Sequence, residues 1–378
     1  MDKKYKFLDL SGYMFSGKHA LNLLISELEG FAVPESYLEF NLLRVQDGIM
    51  DLEKALVDDW SIIRSNSAIK RYKNIVKKFD GSYKNFPFFL FNFYSDYYNT
   101  RFNNKFTRLS EEYIDNLVTA SWQSQWPYPM YNMGDFESFI RKIKRRLWYK
   151  EVAYENTYYL ADGKDFYIHT KKYLHELLSN FDKVKENTET IVMNNAFEPF
   201  NPSRCLSYFD DAKCIIVKRD PRDMYTVGEG YSKMSHGDRI ENFIDRFHMQ
   251  QRNTNEIVNK NIMYLQYEDL ILNYEDTIVK IFNFLETDGR KHYLKGEYLK
   301  PEESKKYIGI YKNYNNPEGN SPTSEMSDTM NADRYPTSAS TLPNVEDINL
   351  DNNLSESESY FQYKIDFKPS KMEVGKNF

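Results

Sequence analysis

The chain has 378 residues, 41% of them hydrophobic and 16% aromatic, enough to build one large α/β domain or two smaller ones around a real core. A net charge of −6 excludes a general nucleic-acid binder, so any basic site must be local. Two cysteines, Cys205 and Cys214, exclude a disulfide framework, and no apolar run approaches the length of a membrane span.

The N-terminal MDKKYKF is basic but has no apolar signal region, so the expected location is cytoplasmic. Phe7, Leu8 and Leu10 suit a short buried strand, and Ala20, Leu21, Leu23, Leu24 and Leu28 recur at helical spacing. Between them lies SGYMFSGKHAL, Ser11 to Leu21, a strand–loop–helix turn whose Gly12 to Lys18 fits GxxxxGK. Backbone N–H groups in such a loop, with the helix N-terminus behind them, form a cradle for phosphate or a similar oxyanion. His19 stands where a nucleotide triphosphatase has the Ser or Thr that holds Mg²⁺.

Pro34 and Glu35-Ser36 mark a loop, after which Tyr37 to Leu43 is expected as a second strand or extended edge. Ile49 to Trp60 and the basic Ser65 to Lys78 are predicted helices. Residues 80–185 differ in composition. Phe86 to Phe91 and Trp122 to Tyr131 are dense in aromatics and broken by proline, which suggests a helical insertion shaping a substrate cleft, or a small aromatic subdomain. Within it, Asp135 to Lys150 is a predicted helix. Phe136, Phe139, Ile140, Ile143 and Leu147 share one side, and Arg141, Lys142, Lys144, Arg145 and Arg146 lie on the other. Its basic side is a solvated face or a path for an anionic acceptor.

Thr190 to Asn194 and Cys214 to Lys218 are predicted strands, the second ending in Arg219-Asp220-Pro221-Arg222-Asp223 at the sheet edge where ligands bind. A helix is predicted over Asp238 to Asn259, a strand over Ile262 to Gln266, and a helix over Tyr274 to Leu285 after Tyr267-Glu268-Asp269-Leu270. Strands alternating with helices predict a doubly wound, mainly parallel α/β fold. From Asn315 to Tyr360 there are nine acidic residues and one basic, Arg334, so 315–359 is expected to be a disordered linker. The chain thus divides into a domain over 1–314, that linker, and a short terminal segment over 360–378.

The anion loop, CIIVKRDPRD and IMYLQYEDLILNYEDTIVKIFNFL, in this order, resemble the sulfotransferases that use 3′-phosphoadenosine-5′-phosphosulfate (PAPS). PEESKKYIG, from Pro301, resembles that family's late basic segment, which closes over the nucleotide. The resemblance implies a P-loop-type sheet and PAPS as donor, with no metal required. It implies that Ser16, Gly17, Lys18 and His19 hold the 5′-phosphosulfate, that Arg219 holds the 3′-phosphate, and that Lys305 lies in the closing segment. Arginine suits a phosphate because its planar fork offers paired donors. Two departures stand out: Phe15 replaces a family Lys, which leaves Lys18 to supply the charge, and Val227 replaces a family Ser, with Thr226, Tyr225 or Ser232 as substitutes.

Sulfuryl transfer is an in-line displacement catalysed mainly by positioning and charge stabilisation. Lys18 would stabilise the leaving phosphate, and His19 would donate a hydrogen bond to the moving group. Some carbohydrate sulfotransferases resemble this chain in a Glu-Phe segment after the first helix, which implies Glu39 as the base, with Glu35 and then His19 as alternatives. The expected acceptor is a carbohydrate or another small hydroxylated molecule. A P-loop small-molecule kinase and a catalytically inactive binding protein of the same fold are the competing readings.

Overall fold

The computed structural model describes residues 3–80, 97–124, 135–147, 156–230, 240–254, 259–313, 348–350 and 365–367. In chain order its first half runs β1 (Lys6–Gly12), α1 (Lys18–Ser26), β2 (Phe31–Ala32), α2 (Ile49–Glu53), α3 (Ile62–Phe79), α4 (Tyr97–Arg101), α5 (Phe106–Leu117), β3 (Val118–Ser124), α6 (Asp135–Leu147) and β4 (Asn156–Ala161). The second half runs α7 (Phe166–Ser179), β5 (Thr190–Asn194), α8 (Pro202–Leu206), β6 (Ala212–Lys218), α9 (Pro221–Gly230), α10 (Ile240–Asn253), β7 (Ile262–Gln266), α11 (Tyr267–Leu272), α12 (Tyr274–Leu285) and α13 (Pro301–Ser304).

Five strands form one parallel sheet in the order β2-β5-β1-β6-β7. Its strands are apolar on both faces, and the period-2 alternation of side chains sorts them into two cores. Phe7, Ile191, Met193, Cys214 and Ile216 face one core, packed against α3, α5 and α7 through Ile69, Tyr113 and Leu174. Leu8, Leu10, Val192, Ile215 and Val217 face the other, against α1, α11 and α12 through Leu21, Leu270 and Ile281. The fold is therefore α/β with helices on both faces, as the alternation of elements predicts. Cys205 and Cys214 are both buried and free.

Three expectations need correction. Tyr37 to Leu43 forms turns rather than a strand, and the sheet edge is instead the two-residue β2. The expected helix over Ile49 to Trp60 ends at Glu53 and passes into a π-helical turn, Lys54–Asp58. The stretch expected to be a helical insertion contains an antiparallel pair, β3 with β4, and β3 is exposed over most of its length, which hides the alternation that marks a strand. Phe86 to Phe91 and residues 125–131 lie outside the described residues. Near the C-terminus Ile348–Leu350 and Ile365–Phe367 pair antiparallel.

Candidate active site

The anion loop leaves β1 at the middle of the sheet, at its carboxyl edge. Ser16 N donates to Tyr13 O (3.0 Å), which closes the turn. Phe15 and Gly17 both have left-handed backbone, with φ of 62° and 80°. At Gly17 no side chain fits, because a Cβ would stand within 2.9 Å of three atoms of the Tyr267 ring. Phe15 packs instead near Met224, Tyr225 and Phe243. Ser16 is buried and its hydroxyl has no protein partner, so the cradle keeps an unused polar group as well as the first N–H groups of α1.

Lys18 turns toward the end of the neighbouring strand, where its ammonium donates to Asn194 Oδ1. The Asn194 amide in turn donates to Ser36 O (2.6 Å), and Phe40 N donates to Asn194 O (2.9 Å). The 36–40 turn is thereby fastened to β5, and Glu39 with it. Asn195 Nδ2 donates to Glu39 Oε1 (2.5 Å), and Arg44 Nη2 donates to Glu39 Oε2 (3.0 Å). Burial pushes the Lys18 pKa down to about 8, partly offset by the carboxylates of Glu39 and Asp9. His19 has exposed surface, yet desolvation of its ring and then the Lys18 charge hold its pKa below the usual value, so it is neutral at pH 7.

Asp9 is the hidden support of this arrangement. It is fully buried on β1, accepts from Ala196 N (2.8 Å), Phe197 N (3.3 Å) and Ser11 Oγ, and lies 3.6 Å from the Cys214 thiol. Burial raises its pKa to about 6 against those hydrogen bonds. Its carboxylate sets the turn after β5, which carries Asn194 and Asn195.

On the other side, Arg219 is buried and grips two main-chain carbonyls. Nη1 donates to Phe15 O (3.2 Å) and Nη2 to Tyr307 O (2.5 Å), with the guanidinium 4.8 Å from the centre of the Tyr267 ring. Its Nε is buried without a protein partner. The ion pair of this segment belongs to Arg222, whose Nε donates to both oxygens of Asp220 (2.9 and 3.0 Å). Asp223 accepts from Gly309 N (2.7 Å) and Tyr311 N (3.2 Å), and Arg222 lies 4.1 Å over the Tyr311 ring. Glu268 accepts from Asp220 N (3.0 Å), and burial raises its pKa. The loop, RDPRD, YEDL and the late segment thus meet in one place.

Other expected site residues stand further from that role. Thr226 Oγ1 is committed to Arg222 O (2.9 Å) inside α9, so its hydroxyl is spent on the helix. Lys305 pairs with Glu302 (2.7 Å) on an exposed surface. Glu35 pairs with Lys183 (2.8 Å) and Arg101 (3.5 Å); burial would raise its pKa, but these cations outweigh it and hold the carboxyl lower. Glu39, by contrast, borders a small open cleft lined mainly by apolar side chains including Leu38, Phe40, Tyr98, Phe181 and Met193.

Sequence reasoning missed Asp9, Asn194 and Asn195. The signal for the asparagines was present: two polar side chains directly follow the buried strand TIVM, at the edge where such sheets bind ligands. An acidic residue inside an otherwise apolar first strand was the signal for Asp9.

A strand–loop–helix anion cradle at the centre of a parallel sheet, with an Arg-bearing strand end beside it, gives the chain an α/β architecture of the P-loop type. The model of a sulfotransferase family matches residues 118–290, just under half of the chain, a stretch that includes CIIVKRDPRD and YEDL. A second family model, described as motility related/secretion protein, matches residues 244–378. No curated protein sequence matches the chain. Among solved structures, the sulfotransferase domain of the Synechococcus PCC 7002 olefin synthase is 14% identical, with 91% of this chain and 98% of that one covered and a TM-score of 0.35. The sulfotransferase domain from the curacin biosynthetic pathway is 13% identical, with 87% and 98% covered and a TM-score of 0.37. Retinol dehydratase in complex with androsterone and inactive cofactor PAP is 13% identical, with 89% and 82% covered and a TM-score of 0.30.

Proposed function

We propose that the chain moves a sulfuryl group from PAPS to the hydroxyl of an acceptor whose buried part is apolar. One observation carries the reading: Lys18 and Glu39 are tied to adjacent residues, Asn194 and Asn195, at one strand end, and Glu39 also borders the cleft. The unpartnered Ser16 hydroxyl, the N–H groups at the start of α1 and the Lys18 ammonium suit a phosphosulfate. The buried, unpartnered Nε of Arg219 suits a second phosphate.

When bound, PAPS supplies an activated sulfuryl group. Lys18 and the loop N–H groups stabilise negative charge on the departing phosphate oxygen. Neutral His19 donates a ring N–H. Glu39, oriented by Asn195 and Arg44, accepts the acceptor's hydroxyl proton at a carboxylate oxygen. A sugar in this cleft would leave several hydroxyls facing Leu38, Phe40 and Phe181 without partners, a costly arrangement. The lining therefore favours a hydrophobic alcohol or a phenol over a carbohydrate.

Titration with 3′,5′-ADP (PAP) and with Mg·ATP, followed by labelled PAPS with phenols, alkanols and sugars, tests each part. PAP stabilisation with transfer to phenols or alkanols is expected. Stabilisation by Mg·ATP alone would point to a kinase, PAP binding without transfer to an inactive binding protein, and transfer only to sugars would overturn the acceptor assignment.

A further inference from the structure

The helix α6 presents a face that nothing in the proposed reaction uses. Phe136, Phe139, Ile143 and Leu147, at i, i+3, i+7 and i+11, are 77%, 58%, 38% and 66% exposed. These positions fall within one narrow stripe, and four large apolar side chains in a row on a surface mark an interaction site. The rest of the helix is basic in sequence. In sequence it holds five basic residues, Arg141, Lys142, Lys144, Arg145 and Arg146, and two acidic ones, Asp135 and Glu137, in a chain whose overall charge is −6. Lys142 and Arg146 are exposed beside the stripe.

We propose that α6 is a membrane-surface helix that lays its Phe136–Leu147 stripe into a bilayer carrying anionic lipids. Three observations choose this occupant. An apolar stripe flanked by Lys and Arg, on a helix of low overall hydrophobicity, is the pattern that lies in the interfacial plane. The positive charge complements anionic headgroups, whereas a second copy of α6 would bring five basic residues against five. The helix is also bracketed in sequence by Trp122, Trp126, Tyr128, Tyr131, Trp148 and Tyr149, the residue types that settle at headgroup level. At 13 residues it is about 20 Å long, and no helix among the described residues is long and apolar enough to cross a membrane. The contact is peripheral, and it brings the enzyme to the surface where hydrophobic alcohols partition.

The test is co-sedimentation of the full chain with vesicles of phosphatidylcholine alone and of phosphatidylcholine with phosphatidylserine, read together with tryptophan emission, since three of the four tryptophans, Trp122, Trp126 and Trp148, flank α6 in sequence. Binding to the anionic vesicles is expected, with a blue shift, falling at least tenfold at about 0.5 M salt, where screening collapses the Debye length to a few ångströms. Phe136→Ser/Phe139→Ser and Lys142→Glu/Arg146→Glu should each lose at least tenfold of that binding while keeping wild-type thermal unfolding and PAP stabilisation. Equal binding to both vesicle types, no binding to either, or undiminished binding by both variants overturns the proposal. So does a concentration-dependent dimer, without vesicles, that the Phe136→Ser/Phe139→Ser variant abolishes. PAP binding is read separately, so failure here leaves the donor site untouched.

Discussion

Gly17→Ala isolates the closest packing in the site. The substitution forces alanine into φ 80°, a left-handed conformation that costs an L-residue about 1–2 kcal/mol. It also drives a methyl group into the Tyr267 ring, whose Cε2 and Cγ would stand 2.8 and 2.9 Å away. Overpacking of this kind costs about 1–3 kcal/mol, so the total destabilisation is about 2–5 kcal/mol. Chemical denaturation of wild type, Gly17→Ala, Tyr267→Ala and the double variant separates the two parts. In the Tyr267→Ala background the methyl group has room, so only the backbone part should remain, and the coupling between the sites should be about 1–3 kcal/mol. A Gly17→Ala cost below about 0.5 kcal/mol, or strict additivity with Tyr267→Ala, would refute the contact between loop and YEDL turn.

Glu39→Gln should lower turnover about a hundredfold or more while PAP stabilisation is unchanged, and unaltered turnover would remove Glu39 as the base. Lys18, with its pKa lowered to about 8, should give a falling limb near that pH in kcat/KM for the donor, as the free enzyme loses the ammonium; Lys18→Met should abolish that limb along with most activity. Asp9 titrates in the opposite sense to a salt-bridged carboxylate. Its folded pKa of about 6 lies above the unfolded value, so its stabilising effect is complete below about pH 4 and is lost as pH rises through 6, a change of about 3 kcal/mol. Asp9→Asn should flatten that part of the stability profile in denaturant titrations, and an unchanged slope would contradict the buried carboxylate. Asp223→Ala should free the Gly309 and Tyr311 amides, seen as faster hydrogen exchange at those two positions with the sheet amides unaffected.

The sheet was legible because its strands carry an unmixed signal. Thr190 to Asn194 and Cys214 to Lys218 are short apolar runs, and a buried parallel strand needs nothing else. The loop was legible because glycine, lysine and the flanking periods are all local. Glu39 was reached only through resemblance, since nothing near it in sequence shows that Asn195, 156 residues away, holds it. Asp9 was invisible for a related reason: the N–H groups that justify burying it come from residues 196 and 197. β3 was lost to the opposite problem, because a strand exposed over most of its length has no apolar alternation to read, and in β4 the buried Tyr158 and Ala161 stand three apart rather than two. Arg219 was found as a ligand candidate, but the carbonyls it grips belong to the loop and to Tyr307, contacts that only the fold reveals.

That double grip of Arg219 joins the start of the chain to a segment almost three hundred residues later. The loop at residues 12–18 emerges among the first, yet its carbonyl at Phe15 waits for Arg219, its Gly17 surface for Tyr267, and the whole joint for Tyr307. A nascent chain ending before Tyr307 would hold a complete set of loop residues and an incomplete site. A chain truncated before Tyr307 would therefore keep every residue of the loop motif and lose the carbonyl that Arg219 grips beside it.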